Sequence, residues 1–169
     1  MSEKFHLIAV RDDTGLETVR RLAWEIWPGV FSALLSPEQI DFMLHMMYDL
    51  DVLKRDLASG INIFLAFEDE EAVGYVTFGP AAEQETVKLH KLYLRSTVRG
   101  RGYGRKMIEK VKSLARELGY HRLVLNVNKG NAASIAVYRA CGLETLASVV
   151  IPIGDGYCMD DYVMGCELN

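Results

Sequence analysis

Apolar residues recur along this chain of 169 residues with two different spacings, and each spacing predicts its own kind of element. Runs with apolar residues three or four positions apart predict amphipathic helices. We expect such helices from Asp12–Thr14 to Pro28–Gly29, from Ser36 to Tyr48, between Asp49 and Ser59, from just after Arg105 to Leu118, and from Asn131 to Gly142. Cap residues support several of these ends, because Ser36 precedes a proline and glycines follow the last two helices.

Shorter runs that alternate in polarity, or that are continuously apolar, predict strands. The expected strands are Phe5–Val10, Ile61–Phe67, Ala72–Phe78, Thr86–Arg95, Arg122–Val127, Leu143–Ile153 and Tyr157–Leu168. The acidic run Glu68–Glu71 predicts a solvated hairpin turn between the second and third of them. Strand, helix and strand follow one another between Thr86 and Val127, which predicts a right-handed parallel crossover.

These elements predict one α+β (mixed α/β) domain over residues 1–169. We expect a mostly antiparallel sheet with one parallel strand–helix–strand crossover and with helices on both faces. The length is sufficient for a single core, and no linker or internal repeat interrupts the sequence.

Composition narrows the classes of function. The net charge of −4 and an isoelectric point near 5.6 argue against general binding of nucleic acid. No N-terminal signal pattern and no run long enough to span a membrane occur in the sequence. Cys141, Cys158 and Cys166 are an odd number of cysteines at no metal-like spacing, which predicts reduced thiols in a cytoplasmic protein and no metal site.

A turn rich in glycine and arginine lies between the strand Thr86–Arg95 and the long helix. Its members are Arg99, Gly100, Arg101, Gly102, Tyr103, Gly104 and Arg105. The first turn of a helix has backbone N–H groups without an intrahelical partner, and its partial positive charge favours an anion. Glycines let the backbone approach a bulky group, and cations are unfavourable at a helix N-terminus unless something negative lies among them. The turn therefore predicts a pyrophosphate site, with a ligand-free glycine turn as the alternative.

The spacing of these glycines fits neither the P-loop nor the dinucleotide fingerprint. No Gly-Lys-Ser/Thr follows them, and the third glycine of G-x-G-x-x-G would fall on Arg105 or Met107. The pattern Arg99-x-x-Gly102-x-Gly104 instead resembles the acyl-CoA-binding signature of the GCN5-related N-acetyltransferase (GNAT) family, Gln/Arg-x-x-Gly-x-Gly/Ala.

A second block of sequence resembles the same family. Asn131, Ser134, Tyr138, Gly142 and Leu143 follow its pattern Asn-x-x-Ala/Ser-x-x-x-Tyr-x-x-x-Gly-Phe. This block comes after the strand that follows the long helix, as it does in the family. The resemblance implies the GNAT fold, acetyl-CoA as cofactor, and transfer of an acetyl group to a primary amine by direct attack in a ternary complex.

The resemblance also implies roles for single residues. Tyr138 matches the tyrosine that often acts as general acid on the departing thiolate. Backbone N–H groups of Leu92, Tyr93 and Leu94 would bind the pantetheine arm and the oxyanion. The residues that match Asn131 and Ser134 would contact the cofactor, and Asn131 would also cap its helix.

The general base is less well defined by the sequence. His90 lies nine residues before Arg99, where diamine acetyltransferases of the family have a glutamate. Histidine is suited to proton transfer near neutral pH, and an ordered water relay is the alternative.

The acceptor is expected to be a small-molecule amine bound near Trp27 and Tyr48, with Asp160 and Asp161 as a solvated acidic pair that could attract a cation. Tyr157–Met164 and the tryptophan-bearing first helix resemble bacterial polyamine-type acetyltransferases. A protein or peptide N-acetyltransferase and an acyl-CoA-binding module without turnover are the alternatives. No nucleic acid or membrane partner is expected, whereas the apolar final strand could support a homodimer.

Overall fold

The computed structural model describes residues 4–169, which contain five α-helices and seven strands. The helices are α1 (Asp13–Phe31), α2 (Pro37–Tyr48), α3 (Leu50–Ala58), α4 (Tyr103–Glu117) and α5 (Ala132–Ala140). The strands are β1 (Phe5–Ala9), β2 (Asn62–Glu68), β3 (Glu71–Pro80), β4 (Thr86–Leu94), β5 (Arg122–Asn128), β6 (Glu144–Gly154) and β7 (Tyr157–Glu167). The predicted elements are confirmed in their order, with ends that differ by a few residues.

The strands form one sheet in the order β1-β2-β3-β4-β5-β7-β6. Antiparallel pairs join β1 to β2, β2 to β3, β5 to β7 and β6 to β7. Strands β4 and β5 are parallel, with registered pairs from Thr86 opposite Arg122 to Leu89 opposite Leu125, and β4 itself continues to Leu94. The predicted mixed sheet with one parallel crossover is therefore confirmed.

The chain divides into two compact units. One comprises the described residues up to Phe78 together with Lys91–Met107, and the other comprises Gly79–His90 and Ile108–Asn169. In the first unit, α1 buries one apolar face consisting of Leu16, Val19, Leu22, Ala23, Ile26, Trp27 and Phe31. In the second, the buried residues of β5 are Leu123, Leu125 and Val127. Alternate residues of β5 are thus buried, as the period of a strand requires.

Local signals in the sequence fix most helix ends. The Ser36 hydroxyl accepts from the Gln39 N–H at 3.1 Å, and Pro37 occupies the first helical position of α2. Gly119 and Gly142 follow α4 and α5 with φ of +89°, the left-handed conformation that ends a helix at glycine.

The predicted end of α1 at Pro28–Gly29 is wrong. The helix contains Pro28 and continues to Phe31, and the Ser32 N–H donates to the Pro28 carbonyl at 3.0 Å. Proline removes one helical hydrogen bond, but the rings of Trp27 and Phe31 pack at 4.6 Å between centroids. This apolar packing holds the last turn helical despite the lost bond.

A 3-10 turn, Ser96–Val98, separates β4 from the glycine turn and was not predicted. Among residues 4–169, no helix is long and apolar enough to cross a membrane.

Candidate functional site

The glycine turn lies in the first unit, and its backbone leaves open space above it. Gly100 and Gly102 both have φ of +79°, and a Cβ built on either would meet nothing within 4 Å. The Lys106 N–H donates to the Gly102 carbonyl at 3.1 Å, so the hydrogen bonds of α4 begin at Gly102. The N–H groups of the first turn of α4 therefore have no intrahelical acceptor. This open, donor-rich surface fits the predicted diphosphate of a coenzyme.

Arg101 and Tyr103 are held by a carboxylate from outside the turn. Arg101 Nη1 lies 2.6 and 2.8 Å from the two carboxylate oxygens of Glu68, the last residue of β2, and the Tyr103 hydroxyl donates to the same side chain. These hydrogen bonds, first that of Tyr103 and then that of Arg101, lower the pKa of the Glu68 carboxyl below its usual value. The expectation that Glu68 belongs to a solvated turn is wrong, because only 18% of its side chain is exposed.

The stretch before the turn is also held by ion pairs. Arg95 Nε lies 2.6 Å from Glu25 of α1, and its Nη1 lies 2.5 Å from Glu71 of β3. Arg99 is exposed, and its Nη2 lies 3.5 Å from the Leu94 carbonyl, at the limit of a hydrogen bond. Arg105 is exposed on the first turn of α4.

A cavity of about 680 Å³ lies in this unit, between α1, the start of β3 and residues 95–101. Its wall includes both sets of ion pairs, with Glu25, Glu68, Glu71, Arg95, Arg99 and Arg101 among its lining residues. The cavity thus brings together acidic and basic side chains that already neutralise one another in part.

Trp27 and Tyr48 lie in a buried network. Trp27 Nε1 and the Tyr75 hydroxyl both donate to the Tyr48 hydroxyl, at 3.1 and 2.8 Å. All three side chains are at most 1% exposed, and burial raises the pKa of Tyr48 and of Tyr75 well above the ordinary tyrosine value. That Trp27 and Tyr48 contact an acceptor stays a prediction.

Lys91 of β4 packs on this network. Its Nζ lies 4.5 Å from the centre of the Tyr48 ring, donates to the Met47 carbonyl at 2.8 Å and lies 3.7 Å from Asp56. Burial lowers the pKa of the Lys91 ammonium, an effect that Asp56 opposes. The ammonium therefore holds the C-terminal end of α2 beside the strand.

The backbone of Leu92, Tyr93 and Leu94, predicted to bind the pantetheine arm, belongs to the last part of β4. Gly74 of β3 lies directly against it, since a Cβ there would be 2.4 Å from the Tyr93 carbonyl oxygen and 2.7 Å from Leu94 Cδ2. Because Gly74 has no side chain, the segment Leu92–Leu94 can lie this close to β3.

Tyr138, Asn131, Ser134 and His90 belong to the second unit. Tyr138 is buried on α5, and burial, with a smaller effect of Cys141, raises the pKa of its hydroxyl to about 12. Asn131 caps α5 by accepting from the Ser134 N–H at 3.3 Å, as predicted. His90 is exposed on β4.

The two acidic residues of β7 differ in their surroundings. Asp160 is exposed and lies 2.5 Å from Lys129, whereas Asp161 is buried, so the expectation that both are solvated is wrong. Burial raises the pKa of the Asp161 carboxyl, while a hydrogen bond from Asn126 opposes the shift. Only Asp161 therefore has the environment of a core residue.

Comparison with known proteins agrees with the motifs. A model of the Acetyltransferase (GNAT) family matches residues 16–143. A Pseudomonas aeruginosa protein named L-methionine sulfoximine/L-methionine sulfone acetyltransferase is 36% identical over 78 residues, 44% of this chain and 45% of that protein. L-amino acid N-acyltransferase MnaT of Escherichia coli is 26% identical over 95 residues, 54% of this chain and 55% of its own length. The chain thus matches about half the length of these curated relatives.

A solved structure shares the fold over its whole length. PaiA N-acetyltransferase from Thermoplasma acidophilum, in complex with coenzyme A, is similar with a TM-score of 0.80 and 20% identity, and the match covers 99% of both chains. The curated relatives are named for methionine derivatives and amino acids, so they give no support to the expected resemblance to polyamine-type acetyltransferases.

Proposed function

Because this chain belongs to the acetyltransferase (GNAT) family, we propose that it is an enzyme that transfers an acetyl group from acetyl-CoA to the primary amine of a small molecule. The observation that carries this proposal is the open glycine turn at the N-terminus of α4, whose geometry suits a diphosphate. The coenzyme supplies an activated acyl thioester. We propose that the backbone of residues 99–105 binds its diphosphate and that Leu92–Leu94, Asn131 and Ser134 bind the rest of it.

We propose that Tyr138 assists the departure of the thiolate as a hydrogen-bond donor. With a pKa of about 12, its hydroxyl keeps its proton across the physiological range. An ordinary thiol has a pKa of about 8.5, so complete transfer of the proton from this tyrosine to the thiolate is unfavourable. Tyr138 would therefore stabilise the thiolate without losing its own proton.

The acceptor amine must lose a proton before it attacks. We propose His90 as the general base, with an ordered water relay as the alternative. His90 is exposed on β4, so this residue is accessible to solvent.

We propose an α-amino acid or a close derivative as the acceptor, in place of the polyamine that the sequence first indicated. The names of the curated relatives support this class. Trp27 and Tyr48 keep their proposed place beside the acceptor. Because both belong to a buried hydrogen-bonded network, they would position the residues around the acceptor.

The function is tested by release of free thiol from acetyl-CoA in the presence of a panel of amines. The panel contains L-methionine sulfoximine, other L-amino acids, spermidine and a peptide with a free N-terminus. We expect rapid thiol release with an amino acid. Release with the peptide alone would indicate a peptide N-acetyltransferase, and tight CoA binding without acceptor-dependent release would indicate a binding module.

The diphosphate site is tested by Gly102→Glu, which we expect to abolish CoA binding. A side chain at a φ of +79° is strained, and a carboxylate there repels the diphosphate. Gly60→Glu is the matched control, since Gly60 belongs to the same unit, has φ of +95° and has nothing within 4 Å of an added Cβ. Equal affinity of the Gly102→Glu variant and the unmodified protein for CoA, measured by calorimetry, would contradict the assignment.

We propose that the whole chain acts as one N-acetyltransferase domain, since the family model runs from residue 16 to residue 143 and includes parts of both units. We propose a cytoplasmic location, because the three cysteines form no disulfide in the described part of the chain. The final strand, which the sequence indicated as a dimer contact, is β7 and lies between β5 and β6, so we propose a homodimer through the edge strand β6 instead.

A further inference from the structure

Glu68 accepts hydrogen bonds from residues on both sides of Gly102. Arg101 Nη1 reaches both of its carboxylate oxygens, at 2.6 and 2.8 Å, and the Tyr103 hydroxyl donates to one of them. We call Glu68, Arg101 and Tyr103 the Glu68 network. Because charge-assisted hydrogen bonds are directional, this network fixes where residues 101 and 103 lie.

The Glu68 network is itself anchored to the strands of the first unit. The ring of Tyr103 stacks on that of Phe5 of β1, with 4.1 Å between centroids and 13° between planes. Phe5 lies opposite Glu68 in the register of β1 and β2. The hydroxyl and the ring of Tyr103 are thus held by two neighbouring strands, although Tyr103 opens α4.

Gly102 makes this anchoring important for the backbone. A glycine with φ of +79° can adopt many other conformations at little cost, so it does not hold its own peptide groups in one direction. The fixed neighbours on either side supply that restraint. They set the direction of the N–H groups at the start of α4, and misdirected donors would bind an anion poorly.

The positive charge of Arg101 is neutralised by Glu68. Its guanidinium faces the carboxylate and also donates from Nη2 to the Thr97 carbonyl at 3.3 Å. The Arg101 side chain is thus engaged by Glu68 and Thr97, whereas its backbone keeps its proposed place in the diphosphate site.

We propose that Glu68 is a positioning residue for the coenzyme diphosphate and that Arg101 and Tyr103 act through Glu68. This inference rests on the proposed function, because it concerns the same glycine turn. It predicts that removal of the Glu68 charge changes the affinity for CoA in the direction opposite to that expected from simple electrostatics. A carboxylate near a diphosphate repels it, so removal of the charge alone would strengthen binding. Loss of the network should instead weaken binding.

The test is a double-mutant cycle on the affinity for CoA, measured by calorimetry with Glu68→Gln, Arg101→Gln and the double variant. We expect each single substitution to weaken binding about tenfold. We expect the double variant to bind as the single variants do, because the second substitution removes a group that has already lost its partner. Glu70→Gln is the matched control: it removes the same charge from an exposed position of the same hairpin and should leave the affinity unchanged.

A merely structural role would lower thermal stability and all kinetic constants together. The proposal predicts instead that the KM for acetyl-CoA rises more than kcat falls, with little change in Tm. If Glu68→Gln does not fold, Tyr103→Phe tests the same inference, because it removes one hydroxyl of the Glu68 network and keeps the ring stacked on Phe5. For Tyr103→Phe we expect a several-fold loss of affinity.

Two outcomes would overturn the inference. One is unchanged or tighter binding by Glu68→Gln together with weaker binding by Arg101→Gln, which would make Arg101 a direct ligand. The other is additive loss in the double variant. Failure of the unmodified protein to bind CoA would contradict the proposed function itself, and it is distinguishable because it precedes any comparison of variants.

Discussion

At the scale of single residues, burial determines which chemistry Tyr138 can support. A phenol in water has a pKa near 10, whereas the buried hydroxyl of Tyr138 has a pKa of about 12. The neutral, hydrogen-bond-donating form is therefore maintained well above neutral pH. Tyr48 and Tyr75 are buried too, but their hydroxyls are hydrogen-bonded to each other and so serve the packing of the core.

We expect Tyr138→Phe to lower kcat about a hundredfold with little loss of CoA affinity, because it removes the proposed donor to the departing thiolate. The hydroxyl loses its proton only as the pH approaches its pKa of about 12. Loss of activity between about pH 8 and about pH 10 should therefore be equal in the variant and the unmodified protein. The pH dependence of kcat checks this. An alkaline decline near pH 10 that disappears in Tyr138→Phe would contradict it.

At the scale of elements, the buried hydroxyl network joins α1, α2 and β3. Trp27 lies on α1, Tyr48 ends α2 and Tyr75 lies on β3, and the hydroxyl of Tyr48 accepts from the other two. Removal of an acceptor that serves two buried donors leaves both unsatisfied, which costs more than removal of one donor.

We therefore expect Tyr48→Phe to lower the free energy of unfolding by about 3 kcal/mol and Tyr75→Phe by about 1 kcal/mol. Urea denaturation monitored by tryptophan fluorescence checks this, with equal m-values as the criterion that only stability has changed. Equal losses in the two variants would mean that Tyr48 is not the shared acceptor. A rise in the KM for the acceptor, measured under conditions in which Tyr48→Phe is fully folded, would support the proposed place of Tyr48 beside the substrate.

The elements also explain what the sequence could predict. Short-range signals, such as the Ser36 cap, the glycines after α4 and α5 and the apolar run of β5, are sufficient to predict the order of the elements. Pro28 predicts too early an end for α1, because the packing of Trp27 on Phe31 keeps the last turn of the helix intact. Propensity is local, and packing of this kind overrides it.

In the candidate site, too, the sequence predicts what depends on short-range signals and misses what depends on contacts between distant residues. The glycine turn and Tyr138 carry motifs that are read within a dozen residues of sequence. Glu68 lies 33 residues before Arg101 and 35 before Tyr103, and it was read as part of a solvated acidic run. No pattern in a single sequence links residues so far apart, since their contact depends on the pairing of strands. The burial of Asp161 was missed for the same reason.

At the scale of the whole molecule, the two edge strands of the sheet differ in length, since β1 has 5 residues and β6 has 11. The edge strand β6 carries no charged residue between Glu144 and Asp155, and Leu146 and Val150 on it are 54% and 62% exposed. Unpaired backbone groups on an uncharged edge favour pairing with another strand. Pro152 limits such pairing to the part of β6 before it.

We expect the protein to form a dimer through β6, and Val150→Lys to dissociate it by placing two cations in a self-complementary interface. Analytical ultracentrifugation over a range of concentrations measures this. Ile8→Lys is the control, because Ile8 is an exposed apolar residue, 49% accessible, on the other edge strand, β1. A monomer at all concentrations, or a dimer unaffected by Val150→Lys, would contradict the proposed interface.

The close approach of Gly74 to β4 has a consequence for how this sequence can vary. Every amino acid other than glycine has a Cβ atom, and at position 74 that atom would overlap the Tyr93 carbonyl oxygen. Substitution of Gly74 by any other residue would thus displace the segment Leu92–Leu94 without a change in that segment itself. Natural variants and mutant libraries of this protein should therefore tolerate most exchanges at the exposed Glu70, and none at Gly74.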